Sequence, residues 1–205
     1  MAQDPQLYLA SRSPRRAELL RQLGLAFETL LLREGHGRDR DVLEEALDAE
    51  PAGHYVERMA RTKAQVAWQR MHNRKLTVQP VIGADTEVVL AQSIFGKPRD
   101  AQDAAAMLGR LSGRTHEVLT AVAVRVDERT DVEVSVTRVS MRKLSAAEIE
   151  RYVATGEPMD KAGAYAIQGR AAAFVTRIEG SYSGVMGLPL AETATLLARA
   201  GVSVL

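Results

Sequence analysis

The chain has 205 residues, a length at which a hydrophobic core can hold a fold together without disulfides. It contains no cysteine, which excludes a disulfide framework, thiolate catalysis and cysteine-ligated metal, so any ion must be held by oxygen or histidine. Lysine and arginine number 27 against 26 aspartates and glutamates, for a net charge of +1; no global basic field exists to hold nucleic acid, and an anion site must be local.

No apolar run approaches the ~20 residues needed to span a bilayer. The opening Met1-Ala2-Gln3-Asp4-Pro5 lacks a basic flank followed by an apolar stretch. A soluble, cytoplasmic protein is expected, with neither a membrane nor a stable nucleic-acid partner.

In chain order, Leu7-Tyr8-Leu9-Ala10 reads as a strand, Ser11-Arg12-Ser13 as a loop, and Ala17, Leu19, Leu20 and Leu23 mark a helix. Ser13 suits the N-cap, Pro14 the first helical position and Gly24 the C′ position. Phe27 to Leu32 reads as a second strand. The polar stretch Arg33 to Pro51 reads as a mobile loop with a short helical pattern over Val42 to Leu47. His54 to Met71 is a helix with Val56, Met59, Ala60, Lys63, Ala64 and Ala67 near one face, Val78 to Leu90 a strand or hairpin, and Asp100 to Leu111 a helix capped by Asp100. Glu117 to Val126 and Val132 to Met141 alternate as an antiparallel pair. Ser145-Ala146-Ala147-Glu148 fits a capping box opening a helix to Val153, Ala172 to Ile178 suits a strand, and Leu190 to Ala200 a closing helix with Gly201 behind it. The pattern predicts an α/β fold, a sheet with helices on its faces, with a subdivision near residue 130.

Three segments stand out chemically. Arg15 and Arg16 lie in the first turn of a helix, where cations oppose the macrodipole; either they are solvated surface residues, or an anion such as phosphate compensates them. Asp85 and Thr86 interrupt an apolar run from Val81 to Leu90, where a buried carboxylate requires a partner or a metal unless it sits in a turn. Asp160 to Gly169 and Gly180 to Pro189 combine glycines and small residues with polar side chains, which suits close backbone approach to a ligand or tight turns alike. Lys97 by itself reads as a loop lysine. His36, His54, His72 and His116 show no metal-ligand spacing.

Together these segments resemble the Maf family of nucleotide pyrophosphatases, also called septum-formation-inhibitor proteins. The resemblance rests on Leu9-Ala10-Ser11-Arg12-Ser13-Pro14-Arg15-Arg16, Gly83-Ala84-Asp85-Thr86, Gly96-Lys97-Pro98-Arg99-Asp100, Asp160 to Tyr165 with Gln168-Gly169, and Gly187-Leu188-Pro189 with Glu192-Thr193. It covers nearly the whole chain, residues 1–205, as one Maf-type domain. It implies a Maf/ITPase-like α/β architecture, a mixed twisted sheet with helices on its faces and two lobes around a central nucleotide cleft, often in a homodimer.

By position, the resemblance assigns triphosphate binding to Ser11, Arg15, Arg16 and Lys161. Catalysis falls to Asp85, Thr86, Lys63, Lys97 and Gln168, and a Mg²⁺ or Mn²⁺ site to Asp85 with an acidic partner. Counting back from Tyr55-Val56 and Lys63 puts that partner at Glu44 or Glu45, counting forward from Phe27 at Glu34 or His36; Glu44 is favoured. Gly83-Ala84-Asp85-Thr86 and Lys161 to Gly169 resemble the branch that cleaves dTTP and UTP, with room for 5-modified pyrimidines and a house-cleaning or cell-division-linked role. The alternatives are a 7-methylguanosine triphosphate pyrophosphatase and a nucleotide-binding regulator of septum formation without turnover.

Overall fold

The computed structural model describes residues 5–33 and 42–204. In chain order it runs β1 Leu7–Ala10, α1 Pro14–Gln22, β2 Phe27–Thr29, α2 Ala52–Asn73, β3 Val81–Leu90, β4 Ser93–Phe95, α3 Ala101–Leu111, β5 Thr115–Val126, β6 Arg129–Met141 and α4 Ala146–Val153. Three short 3₁₀ turns follow, then β7 Val175–Glu179, α5 Tyr182–Met186 and α6 Leu190–Arg199. The described strands pair as a seven-stranded mixed sheet in the order β2-β1-β3-β5-β6-β7, with β4 hairpinned onto β3.

β1 pairs in parallel with β2 on one side and β3 on the other. Every residue of β1 is buried, as expected for a strand covered on both faces and read as one apolar run. α1 starts where its residues require: the Ser13 hydroxyl accepts from the Arg16 amide and Pro14 follows, and Gly24 takes φ 71° just past the end. The Asp100 carboxylate caps α3, and Ser145 and Glu148 form a reciprocal capping box on α4. A two-residue connection, Asp127-Glu128, joins β5 to β6, which only antiparallel neighbours permit.

Several elements differ from the expectation. β2 stops at Thr29 because β1 offers it only three partners, Leu7 to Leu9. β3 begins at Val81 rather than Val78, since Pro80 has no N–H to give; its carbonyl accepts from the Tyr8 amide at 2.8 Å. The β3–β4 hairpin turns on Ala91 and Gln92, both at positive φ, a geometry that asparagine or glycine would have announced. Arg170–Phe174 coils into a 3₁₀ turn and β7 starts only at Val175, because Ala171-Ala172-Ala173 lacks the β-branching that favours strands. Val42 to Leu47 forms no helix, and Leu43 and Leu47 are exposed.

The chain forms two compact units, both discontinuous in sequence. One is built from the described residues of Met1–Asp85, Thr120–Val134 and Gly187–Leu205, the other from Thr86–Leu119 and Ser135–Met186. In the first, Tyr8, Ala10, Leu30, Ala67, Trp68, Met71 and Val81 form a core cluster between α2 and the sheet. In the second, α3 and α4 pack with Val118, Val139, Tyr165 and Phe174. No helix among the described residues is long and apolar enough to cross a membrane.

In the first unit α2 and β3 approach closely at Gly83, where a Cβ would lie 2.4 Å from the Ala60 carbonyl oxygen and 2.6 Å from the Ala64 nitrogen. Gly83→Ala should therefore push α2 off β3 and destabilise the fold by about 1–3 kcal/mol, a lowering of Tm that a thermal melt would register; an unchanged Tm would mean the contact relaxes freely.

A second prediction concerns His116, which is 2% exposed and shares a 2.8 Å hydrogen bond with the Tyr165 hydroxyl. Burial pushes its pKa down to about 4, against about 6.5 in an unfolded chain. The unfolded chain then binds the additional proton between those limits, so stability is full above about pH 6.5 and is lost as the pH falls toward 4. Glu50 and Glu148, held down to about 2 by hydrogen bonds from Arg58 and Arg142, act in a lower window. Calorimetry across the higher window should show Tm falling less steeply in His116→Gln than in wild type.

Candidate active site

In the first unit, the contact at Gly83 sets the register of α2 against β3. Ala60, Lys63 and Ala64 share one face of the helix, while Gly83 and Asp85, two residues apart, share one face of the strand. Closing Ala60 and Ala64 onto Gly83 brings Lys63 to Asp85, with Nζ 2.7 Å from Oδ1. Lys63 Nζ also lies 2.6 Å from Glu44 Oε1. One ammonium thus joins two carboxylates from separate segments.

Asp85 is only 7% exposed, and its second oxygen, Oδ2, is buried with no hydrogen-bond partner among the described residues. A half-satisfied buried carboxylate costs on the order of 1–3 kcal/mol, and more when charged. Thr86 is next along the strand and half-buried, so its side chain projects from the opposite face.

Glu44 reaches Lys63 through a latch that sequence reasoning missed. The Arg58 guanidinium donates to both carboxylate oxygens of Glu50, at 2.7 and 2.5 Å, and to the Glu45 carbonyl at 3.0 Å. This two-pronged pairing lays the segment before α2 along the helix. Glu45 is engaged there through its backbone; Glu34 and His36, the other candidates for the acidic partner, lie outside the described residues. Nothing in the periodicity of residues 42–50 flags Glu50 as the anchor.

The first-turn arginines of α1 are half-buried rather than solvated. Arg16 Nε donates to the Gly187 carbonyl at 2.7 Å, and its Nη1 lies 3.4 Å from Ser11 Oγ. Ser11 Oγ also accepts from the Ser13 amide at 3.1 Å, which leaves its own O–H to donate elsewhere. Arg15 sits beside Arg16, and α1 has no acidic residue in its first turn. The helix N-terminus thus combines its free amides with two cationic side chains and no acidic residue of its own first turn, a combination that suits an anion.

In the second unit, Lys97 is exposed in the loop after β4. The preceding Gly96 accepts from the Gly163 amide at 3.1 Å, which ties this loop to the Asp160–Tyr165 segment. Lys161 Nζ donates to the Glu157 carbonyl at 2.6 Å and pairs with the Asp160 carboxylate. Gln168 is exposed, at the corner of a turn closed by the Gly169 amide on the Ala166 carbonyl at 3.0 Å. Lys63, Asp85 and Glu44 are thus brought together in one unit, Ser11 and Arg16 form a second group in the same unit, and Lys97, Lys161 and Gln168 belong to the other.

No group of three or more histidines, aspartates and glutamates that could hold a metal occurs among the described residues. Magnesium does not require one: it is commonly held by one or two carboxylates, with waters and substrate phosphates completing its shell. The orphaned Oδ2 of Asp85 and the nearby Glu44 are hard oxygen donors of that kind, so the residues present fit a small divalent cation.

The model of the family described as Maf-like protein matches residues 6–200 of this chain. The dTTP/UTP pyrophosphatase of Aromatoleum aromaticum is 57% identical over 196 residues, which cover 95% of each chain. That of Cupriavidus metallidurans is 54% identical over 196 residues, 96% of this chain and 97% of the other, and that of Nitrosomonas europaea 50% identical over 198 residues, 97% and 96%. With the family model and relatives of this similarity both spanning nearly its full length, the chain belongs to the Maf-like protein family.

Proposed function

We propose that this protein is a nucleoside triphosphate pyrophosphatase that hydrolyses dTTP and UTP to the monophosphate and pyrophosphate, using a divalent cation, in a cytoplasmic house-cleaning role. The observation that carries the reading is Asp85: a carboxylate 7% exposed, one oxygen on Lys63, the other buried and unpartnered. Such an arrangement is costly for stability alone and is suited to a cation or a reacting water. The names of the relatives support the substrate.

In this reading, water attacks the α-phosphorus in line, a P–O bond forms, the bond from that phosphorus to the bridging oxygen breaks, and pyrophosphate leaves. Phosphoryl transfer of this kind depends on positioning and on neutralising charge rather than on covalent help from the protein. Asp85 and Glu44 would hold a divalent cation, which would supply Lewis-acid polarisation and a more acidic water. Lys63 fixes the orientation of both carboxylates, which presents Asp85 Oδ2 either to the cation or to the proton of the attacking water, one role excluding the other. Ser11, Arg15 and Arg16 bind the triphosphate at the N-terminus of α1. Lys97 and Lys161 neutralise phosphate oxygens, Gln168 orients the phosphoryl group by hydrogen bonding, and Thr86 adds a hydroxyl beside Asp85 in sequence.

Asp85→Asn keeps the shape and removes the charge. It should lower kcat by about 10²–10⁴-fold, the usual loss for a positioned base, with Tm close to wild type; near-normal turnover at saturating Mg²⁺ or Mn²⁺ would return Asp85 to a structural role.

Chromatography of the products should show dTMP and pyrophosphate from dTTP, not diphosphate and orthophosphate. In competition at equal concentration, kcat/KM for UTP and dTTP should exceed that for 7-methylguanosine triphosphate. A pocket matched to a pyrimidine edge leaves polar groups unpaired against a purine, and tolerance of the thymine methyl implies room at C5. The reverse order would move the protein to the methylguanosine branch.

A further inference from the structure

The turn that carries Gln168 is held from outside itself. The Tyr152 hydroxyl, from α4, accepts from the Ala166 amide at 3.1 Å and donates to Glu157 Oε1 at 2.8 Å. Glu157 Oε2 accepts from the Arg170 amide at 3.2 Å. The two amides flank the three residues Ile167, Gln168 and Gly169, so one phenol and one carboxylate pin both ends of the turn.

Gly169 shows how closely the parts fit. A Cβ there would lie 2.5 Å from Glu157 Oε1 and 2.6 Å from its Cδ. Tyr152 itself is 4% exposed, its ring edge-on to Phe174 at 5.2 Å between centroids. Burial raises the phenol above its ordinary range, which keeps it protonated and able to donate. The Glu157 carbonyl also receives Lys161 Nζ, and Tyr165 is held by His116. Tyr152, Glu157 and His116, which anchor this segment, all belong to the same unit.

We propose that Tyr152 and Glu157 are positioning residues that hold the Gln168 turn in its reactive place. The proposal rests on the assignment of Gln168 to the phosphoryl chemistry. In this role both act through the backbone of residues 166–170. A misplacement of a reacting group by about 1 Å costs up to roughly 100-fold in rate, so loosening the turn should appear in kcat.

Tyr152→Phe removes one oxygen and keeps the buried ring. Glu157→Gln keeps the shape but sets an amide NH₂ against either the Arg170 N–H or the Tyr152 hydroxyl. With dTTP, both should lower kcat by about 10- to 100-fold with KM changed far less, and amide hydrogen exchange at Ala166 and Arg170 should quicken. Gln168→Ala should be slow, and adding Tyr152→Phe to it should cost little more, because the two losses share one cause.

Normal kcat in Tyr152→Phe beside a slow Gln168→Ala would overturn the proposal, as would losses that multiply in the double variant or unchanged exchange at both amides. Full activity in Gln168→Ala would also overturn it, and would locate the failure in the role given to Gln168. If Tyr152→Phe fails to fold, Glu157→Gln carries the same readings.

Discussion

The contact of α2 with β3 at Gly83 is the constraint on which the first unit depends. Helix backbone meets strand backbone with no side chain between them, because a Cβ at position 83 would overlap the Ala60 carbonyl. Helix–sheet distance and register are then fixed together. Two positions along the strand and three along the helix, Asp85 and Lys63 meet at 2.7 Å. A looser contact would leave the lysine free to choose another partner; the close one makes the ion pair a product of backbone geometry.

The electrostatics follow from that placement. Asp85 stands in an apolar strand with a single cation at one oxygen, and Glu44 shares the same ammonium. Desolvation of a carboxylate is only partly offset by one such partner, so the pair contributes little to stability while its second oxygen remains ready for a ligand. The Arg58–Glu50 latch has the opposite character: it uses both carboxylate oxygens and serves to hold chain rather than to react. The same division recurs in the second unit. Tyr152 and Glu157 hold backbone, and Gln168 is left exposed.

Much of this architecture is written locally. Strand β1, helix α1 with its Ser13 cap, helix α3 with Asp100 and the capping box of α4 lie where periodicity and caps put them, since the interactions that define them span at most a few residues. Where local signals are silent, the fold departs from them. The Ala91-Gln92 turn carries no turn residue, the three alanines after Arg170 coil instead of extending, and the amphipathic look of Val42 to Leu47 does not survive the pull of Arg58 on Glu45 and Glu50.

From the sequence alone came the alternation of strands and helices, the odd carboxylate in an apolar strand, the two arginines at a helix start and the glycine-rich segments that resemble one family. The sequence favours Glu44 as the acidic partner and the fold brings Glu44 to Lys63; tertiary structure alone decided that Arg16 is bound to a carbonyl 171 residues away, and that Tyr152 and Glu157 hold the Gln168 turn. Caps and periodicity act within one or two turns of chain, so they are readable in order. Pairings such as Glu44 with Lys63 depend on which faces meet when the backbone closes, and that depends on a missing side chain at Gly83 that no local pattern marks as a contact.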